Sequence, residues 1–169
     1  AKGVGAGNSI NEYSLVTKPI AGLTLHAQYY DIEDYDDGVA TEKQFEEGGS
    51  YAATYATGNF TVGYGKSYKA PEATTITAGA TTVEYVENTG YSVGYAVNDD
   101  LSVSYSREES EQNFQTSATV GNDIEMDSIQ IAYSLGGATL SIARADYENA
   151  SYTLNNDITE TIIAMSFAF

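Results

Sequence analysis

Tyr91-Ser-Val-Gly-Tyr-Ala-Val-Asn-Asp-Asp-Leu-Ser-Val-Ser-Tyr105 decides how the rest of the chain is read. Tyr91, Val93, Tyr95 and Val97 alternate with Ser92, Gly94 and Ala96, and after Asn98-Asp99-Asp100 the same rule resumes with Leu101, Val103 and Tyr105. A period of two puts alternate side chains on opposite faces of a strand, and a short Asn/Asp cluster between two such runs is a hairpin turn. One face of this hairpin is apolar and aromatic. The other carries only Ser, Gly and Ala.

The rule recurs in both directions. Leu23, Leu25, Ala27 and Tyr29 alternate with Thr24, His26, Gln28 and Tyr30, and Phe60, Val62 and Tyr64 alternate with Thr61, Gly63 and Gly65. Ile129, Ile131, Tyr133 and Leu135, then Leu140 and Ile142, then Ile163, Met165, Phe167 and Phe169 follow suit. With residues 13–17 and 51–55 this predicts about nine strands of ordinary length. Connections at 18–22, 57–59, 98–100 and 136–137 are tight; those at 31–44, 69–84, 108–123 and 148–157 are long and polar. Tight and long alternate strictly, so an antiparallel meander has all its tight turns at one end and all its long loops at the other. A soluble sandwich has no general reason for that segregation, whereas a transmembrane up-and-down β-barrel with short periplasmic turns and longer external loops does. The expected fold class is therefore all-β, an antiparallel up-and-down transmembrane barrel.

Composition narrows the function classes. Seven Lys and Arg against 24 Asp and Glu give a net charge of −17 over 169 residues. Nucleic-acid binding needs clustered cations to displace counterions from phosphates, and no such cluster exists here. The charged fraction of 18% is low for a solvated globule, and the apolar 42% leans on Ala and Tyr. No cysteine is present, so disulfides, thiolate metal sites and cysteine nucleophiles are excluded. No run approaches the roughly 20 apolar residues of a membrane helix, and residues 1–7 lack a signal-peptide core, which leaves strands as the only spanning elements.

Thr24, His26, Gln28, Thr61, Ser92, Ser102, Ser104, Ser128, Gln130 and Ser141 are the expected pore-lining residues. Such thin side chains cannot plug the narrow lumen of an eight-stranded barrel; they suit a wide, water-filled one of roughly 16 to 18 strands. Residues 1–169 then read as a single unit forming about half of a barrel, with 1–8 as the remnant of an external loop. Either a longer chain or several copies would complete the wall.

At this point the residues resemble a known type. Glu160-Thr-Ile-Ile-Ala-Met-Ser-Phe-Ala-Phe169 resembles the C-terminal signal of outer-membrane barrels, in which Phe167 and Phe169 would be read by the barrel-assembly machinery. Gly58-Asn-Phe-Thr-Val-Gly-Tyr-Gly65, Gly90-Tyr-Ser-Val-Gly-Tyr95 and Asn98-Asp-Asp-Leu-Ser-Val-Ser-Tyr105 are similar to turn-strand units of Gram-negative general porins of the alphaproteobacterial type. The resemblance covers nearly the whole chain. It implies a homotrimeric diffusion porin of the bacterial outer membrane. The family's acidic constriction-loop motif and facing arginine cluster are not evident in these residues.

Enzymatic chemistry finds no support. His26 is the only histidine and supplies neither a metal cluster nor a triad. No Gly-x-Ser-x-Gly elbow occurs, so no cofactor and no catalytic residue is expected. The first long connection carries Asp31, Glu33, Asp34, Asp36, Asp37, Glu42, Glu46 and Glu47, eight carboxylates at one mouth, which would attract cations and repel anions. Asp31, Glu33, Asp34, Asp36 and Asp37 offer oxygen ligands that could hold Ca²⁺, although their spacing departs from the EF-hand signature; a merely solvated acidic loop is the alternative.

Lys66, Arg107 and Arg144 each follow the start of an ascending strand by six residues, at Phe60, Leu101 and Ala138, and strict alternation puts them on the outward face with Glu87 and Asp127. There they would bind lipopolysaccharide phosphates or join a subunit interface; a local bulge would instead turn them into the lumen. Tyr13, Tyr51, Tyr55, Tyr64, Tyr91, Tyr95, Tyr105 and Tyr133, with Phe60, Phe167 and Phe169, share the outward parity, as amphipathic rings at membrane interfaces would. The expected function is passive diffusion of small hydrophilic solutes and ions, with cations preferred. An extracellular or surface-layer β-protein with a structural or adhesive role is the alternative.

Overall fold

The computed structural model describes residues 9–33, 46–71, 82–115 and 120–167. Nine strands form one antiparallel sheet in chain order: β1 (Ser9–Ile20), β2 (Leu23–Glu33), β3 (Glu47–Thr57), β4 (Phe60–Ala70), β5 (Val83–Ala96), β6 (Leu101–Phe114), β7 (Ile124–Leu135), β8 (Ala138–Glu148) and β9 (Ile158–Phe167). Each interior strand pairs with its two chain neighbours, and β1 and β9 form the sheet's two edges.

The tight turns form where the sequence demands them. Gly22, at φ 80°, and Gly58, at φ 56°, supply left-handed backbone, and a Cβ at Gly22 would overlap the carbonyl oxygen of Ala56. At the β5–β6 turn the Asn98 side-chain oxygen accepts the Asp100 and Leu101 amides, each at 2.9 Å. Adjacent turns are tied together as well: the Ala56 amide donates to Gly22 and the Ser134 amide to Asp100, at 2.9 and 2.8 Å.

The other end departs from expectation. Strands run well into segments that their polarity marks as loop, most of all β6, which takes in residues 108–114. Glu108 to Gln112 pair in register with Gly90 to Val86, so continuing an established ladder outweighs the missing apolar alternation. The connection between β8 and β9 holds a short 3₁₀ turn, Ala150–Tyr152, that no periodic signal anticipates. β1 is also longer than the 13–17 segment read from periodicity, and its register slips between Thr17 and Ile20, beside Pro19.

The sheet is a single layer. Among the described residues only Gly48, Ala70, Ser128 and Ala150 are buried, and no large side chain is. Among the described residues no second sheet and no α-helix covers either face, so these residues build no core of the kind a sandwich forms between layers.

Candidate functional site

The registers sort every strand residue onto one of two faces. One cross-strand row reads Thr17, Leu25, Ala53, Tyr64, Tyr91, Arg107, Asp127, Asp146, Thr159. The neighbouring row on the opposite face reads Thr24, Thr54, Gly63, Ser92, Ser106, Ser128, Ala145, Glu160. We call these the aromatic face and the small-residue face.

On the aromatic face the chemistry does not follow the hydrogen-bonding rows; it crosses them obliquely. Relative to the row of Tyr64, Tyr13 and Tyr29 stand four residues toward the loop end, Tyr51 two, Tyr64 and Tyr91 in it, and Tyr105 two toward the turn end. A second aromatic line runs parallel. Tyr55 lies two residues toward the turn end of the row, Phe60 and Tyr95 four, Tyr133 six and Phe167 eight. Between the two lines lie aliphatic residues: Leu15, Leu25, Val62, Val93, Val103, Ile131, Leu140 and Met165. Both lines drop by about one residue per strand. With about 3.4 Å of rise per residue and about 4.8 Å between strands, this inclines the levels by about 35° to the rows.

The cations obey the same slope. Lys66 stands two residues toward the loop end of the row, Arg107 in it, and Arg144 two toward the turn end, on every second strand. All three lie at one level, just beyond the upper tyrosine line. The ladder is unbroken through them, with register irregularities only at Thr17/Ile20 and Val83/Tyr85 among these pairings, so no bulge turns them to the other face. Each meets carboxylates: Lys66 Nζ lies 2.6 Å from Glu87, Arg107 reaches Glu125 and Asp127, and Arg144 holds Asp146 at 3.0 Å. The Tyr105 hydroxyl donates to Asp127, and Thr159 donates to Asp146 at 2.6 Å. Glu125, Asp146 and Thr159 escape the sequence reading because their pairing depends on register, which is not local.

Aromatic rings contact across strands. Phe60 and Tyr95 are 4.6 Å apart at their centroids, Tyr64 and Tyr91 5.4 Å, and Tyr51 and Tyr64 6.2 Å. The rings remain exposed to the surroundings, Tyr91 by 53% and Phe167 by 59%. Phe169 lies outside the described residues.

All ten candidate pore-lining residues fall on the small-residue face. Thr24, His26 and Gln28 project from β2, Thr61 from β4, Ser92 from β5, Ser102 and Ser104 from β6, Ser128 and Gln130 from β7, and Ser141 from β8. Nine are at least partly exposed, while Ser128 is buried. Ala52, Gly63, Gly65, Gly90 and Ser92 floor a shallow concavity of about 290 Å³ at its centre. The face is not uniformly small, as the sequence reading expects. The paired edges add Ile10 and Val16 on β1 and Ile158 and Ile162 on β9, because consecutive apolar residues such as Ile162-Ile163 serve both faces.

The acidic mouth is only partly described. Asp31 accepts a hydrogen bond from Asn11 at 3.3 Å, Glu33 pairs with Ser9 at the β1–β2 edge, and Asp34, Asp36 and Asp37 lie outside the described residues. Glu46 bonds Lys69 at 2.8 Å and accepts from the Tyr30 hydroxyl at 3.4 Å. The Lys69 ammonium holds the Glu46 carboxyl below its usual range. Among the described residues, no group of three or more His, Asp or Glu is arranged to hold a metal ion.

No family model, no curated protein and no solved structure matches the chain.

Proposed function

We propose that the sheet is part of the wall of an outer-membrane β-barrel, a porin whose small-residue face lines a water-filled passage for small hydrophilic solutes and ions. One observation carries this reading: carboxylates, cations, tyrosines, aliphatic residues and a second aromatic line follow one another in parallel levels inclined by about 35° to the hydrogen-bonding rows. Strands of a membrane barrel tilt by about 35–45° from its axis, so levels that cut across the ladder at this slope match planes of constant depth in a bilayer. A sheet packing against another protein layer has no reason to sort its residues by such planes.

Passage is passive. The Ser, Thr, Gly and Gln residues leave the lumen open, and Glu12, Glu108 and Glu160 on the same face, with Lys69 as a counterweight, favour cations over anions. Among the described residues, no set on this face fits catalysis. Edges β1 and β9 need partners within lipid, where unpaired backbone is costly, and strands of a longer chain or further copies would supply them. Such a wall faces outer-membrane lipids and lipopolysaccharide, and the resemblance of its last strand fits delivery by the barrel-assembly machinery and assembly as a trimer.

Conductance across a planar lipid bilayer under a salt gradient tests the reading. Discrete steps with a cation-selective reversal potential are expected. An absence of steps, together with solubility in plain buffer, overturns the channel and favours a surface β-protein whose aromatic face packs on copies of itself.

A further inference from the structure

The β8–β9 connection, residues 149–157, does not extend away from the sheet. Asn149, Ser151, Tyr152 and Asn155 hold left-handed backbone, at φ 53°, 59°, 55° and 59°, a region seldom occupied by residues other than glycine. The turn is clasped from within. The Ala150 amide donates to the Asn156 carbonyl at 2.7 Å, the Asn156 side chain donates to the Ala150 carbonyl at 2.8 Å, and the Asn149 side-chain oxygen accepts the Asn155 amide at 3.0 Å. Ala150 is buried beneath it.

This clasped turn is moored two strands away. The Tyr152 hydroxyl lies 2.7 Å from Ser110 Oγ on β6. Ser110 belongs to the row of Gln28, Ser50, Ser67 and Asn88, on the small-residue face. To reach it, Tyr152 must pass over β7 on that face. Two further bonds hold the crossing: Asn122 donates to the Tyr152 carbonyl at 3.2 Å, and Asn149 donates to the Asp123 carbonyl at 3.1 Å. The backbone strain is thus held by contacts on a different hairpin.

Building on the channel reading above, we propose that residues 149–157 form an inward strap that narrows the loop-end mouth over β6–β8, latched by Tyr152 on Ser110. Closed, the strap places Tyr152 and the turn beside it in the path along the small-residue face. Released, it widens the mouth without altering the wall.

The test compares unaltered protein, Tyr152→Phe and a variant with residues 150–156 replaced by Gly-Ser-Gly, all in planar bilayers. The shortened variant should show a larger open step. Tyr152→Phe should reduce the ratio of narrow to wide dwell times about fivefold, equivalent to the roughly 1 kcal/mol of one hydrogen bond. Because the chain has no cysteine, Ser110→Cys with Tyr152→Cys gives a single thiol pair. A short bis-maleimide should join that pair and hold the narrow level. Equal steps in the shortened and unaltered proteins overturn the strap while leaving the channel intact. Absence of steps in the unaltered protein overturns the channel reading itself. Failure of the thiol pair to join in folded protein overturns the latch, whatever the conductance.

Discussion

Two lysines three residues apart on β4 face opposite ways and live in different surroundings. Lys66, on the aromatic face, pairs with Glu87 just beyond a line of tyrosines; Lys69, on the small-residue face, pairs with Glu46 beside Tyr30. The same contrast holds along the whole sheet. Tyr64 meets Tyr91 ring to ring on one side of the ladder, while on the other side of the same backbone Gly65 faces Gly90. A common ladder of hydrogen bonds therefore carries two unlike surfaces. On the channel reading proposed above, what separates them is the medium each would face, an apolar slab on one side and water on the other.

Four tests can break or sharpen that contrast. The largest effect is expected from a charge at the aliphatic level. Val93→Arg should cost about 2–4 kcal/mol in urea-dependent refolding into lipid vesicles, whereas Gly94→Arg on the neighbouring residue should fold normally and weaken cation preference. A Cβ at Gly94 would meet its neighbours only at ordinary distances of 3.9 Å or more. Equal costs at the two positions would mean that the faces do not sense different media. Next, Tyr64→Ala removes two ring contacts, each worth about 0.5–1.5 kcal/mol beyond burial, while Ser92→Ala should stay within about 0.5 kcal/mol in the same refolding assay.

A smaller effect concerns pH. Because Lys69 holds the Glu46 carboxyl below its usual 4.5, the pair's contribution is complete above pH 4.5 and disappears as pH falls through the lower folded value. The Ile32 amide, bonded to the Glu46 carbonyl at 2.9 Å, should lose hydrogen-exchange protection on acidification, and Glu46→Gln should abolish that pH dependence. The smallest effect is expected at Arg144→Ser. Both partners of its ion pair with Asp146 are well exposed, so the change in refolding stability should be under about 1 kcal/mol.

The turn end was legible because its signals are local. Phe60, Leu101 and Ala138 begin their strands where the alternation starts, and Gly22, Gly58 and Asn98 terminate the preceding ones by their own backbone chemistry. The loop end was not. Beyond the apolar band both faces of β6 are polar, so Glu108-Glu109-Ser110-Glu111 carries no alternation and reads as loop although it pairs residue for residue with β5. The spacing of Lys66, Arg107 and Arg144 hinted at a common level, yet their acidic partners and the slope of the levels emerge only from register across eight strand pairs. For the strap, Asn149 and Asn155 are residue types that tolerate left-handed backbone; nothing in the sequence marks Tyr152 as doing the same or as crossing to Ser110.

The strictly sequential strand order also bears on how the sheet comes into being. Every strand finds its partners among its immediate chain neighbours, so the separations to be closed are those of single hairpins. Such a topology can grow by adding one strand at a time to an existing edge, each step repeating the previous one at similar entropic cost. The tight turns then act as pacemakers, bringing strands together in pairs before the longer connections join one pair to the next. On this account, weakening Gly22 or Gly58 would slow assembly of its own hairpin and leave the pairs on either side free to form.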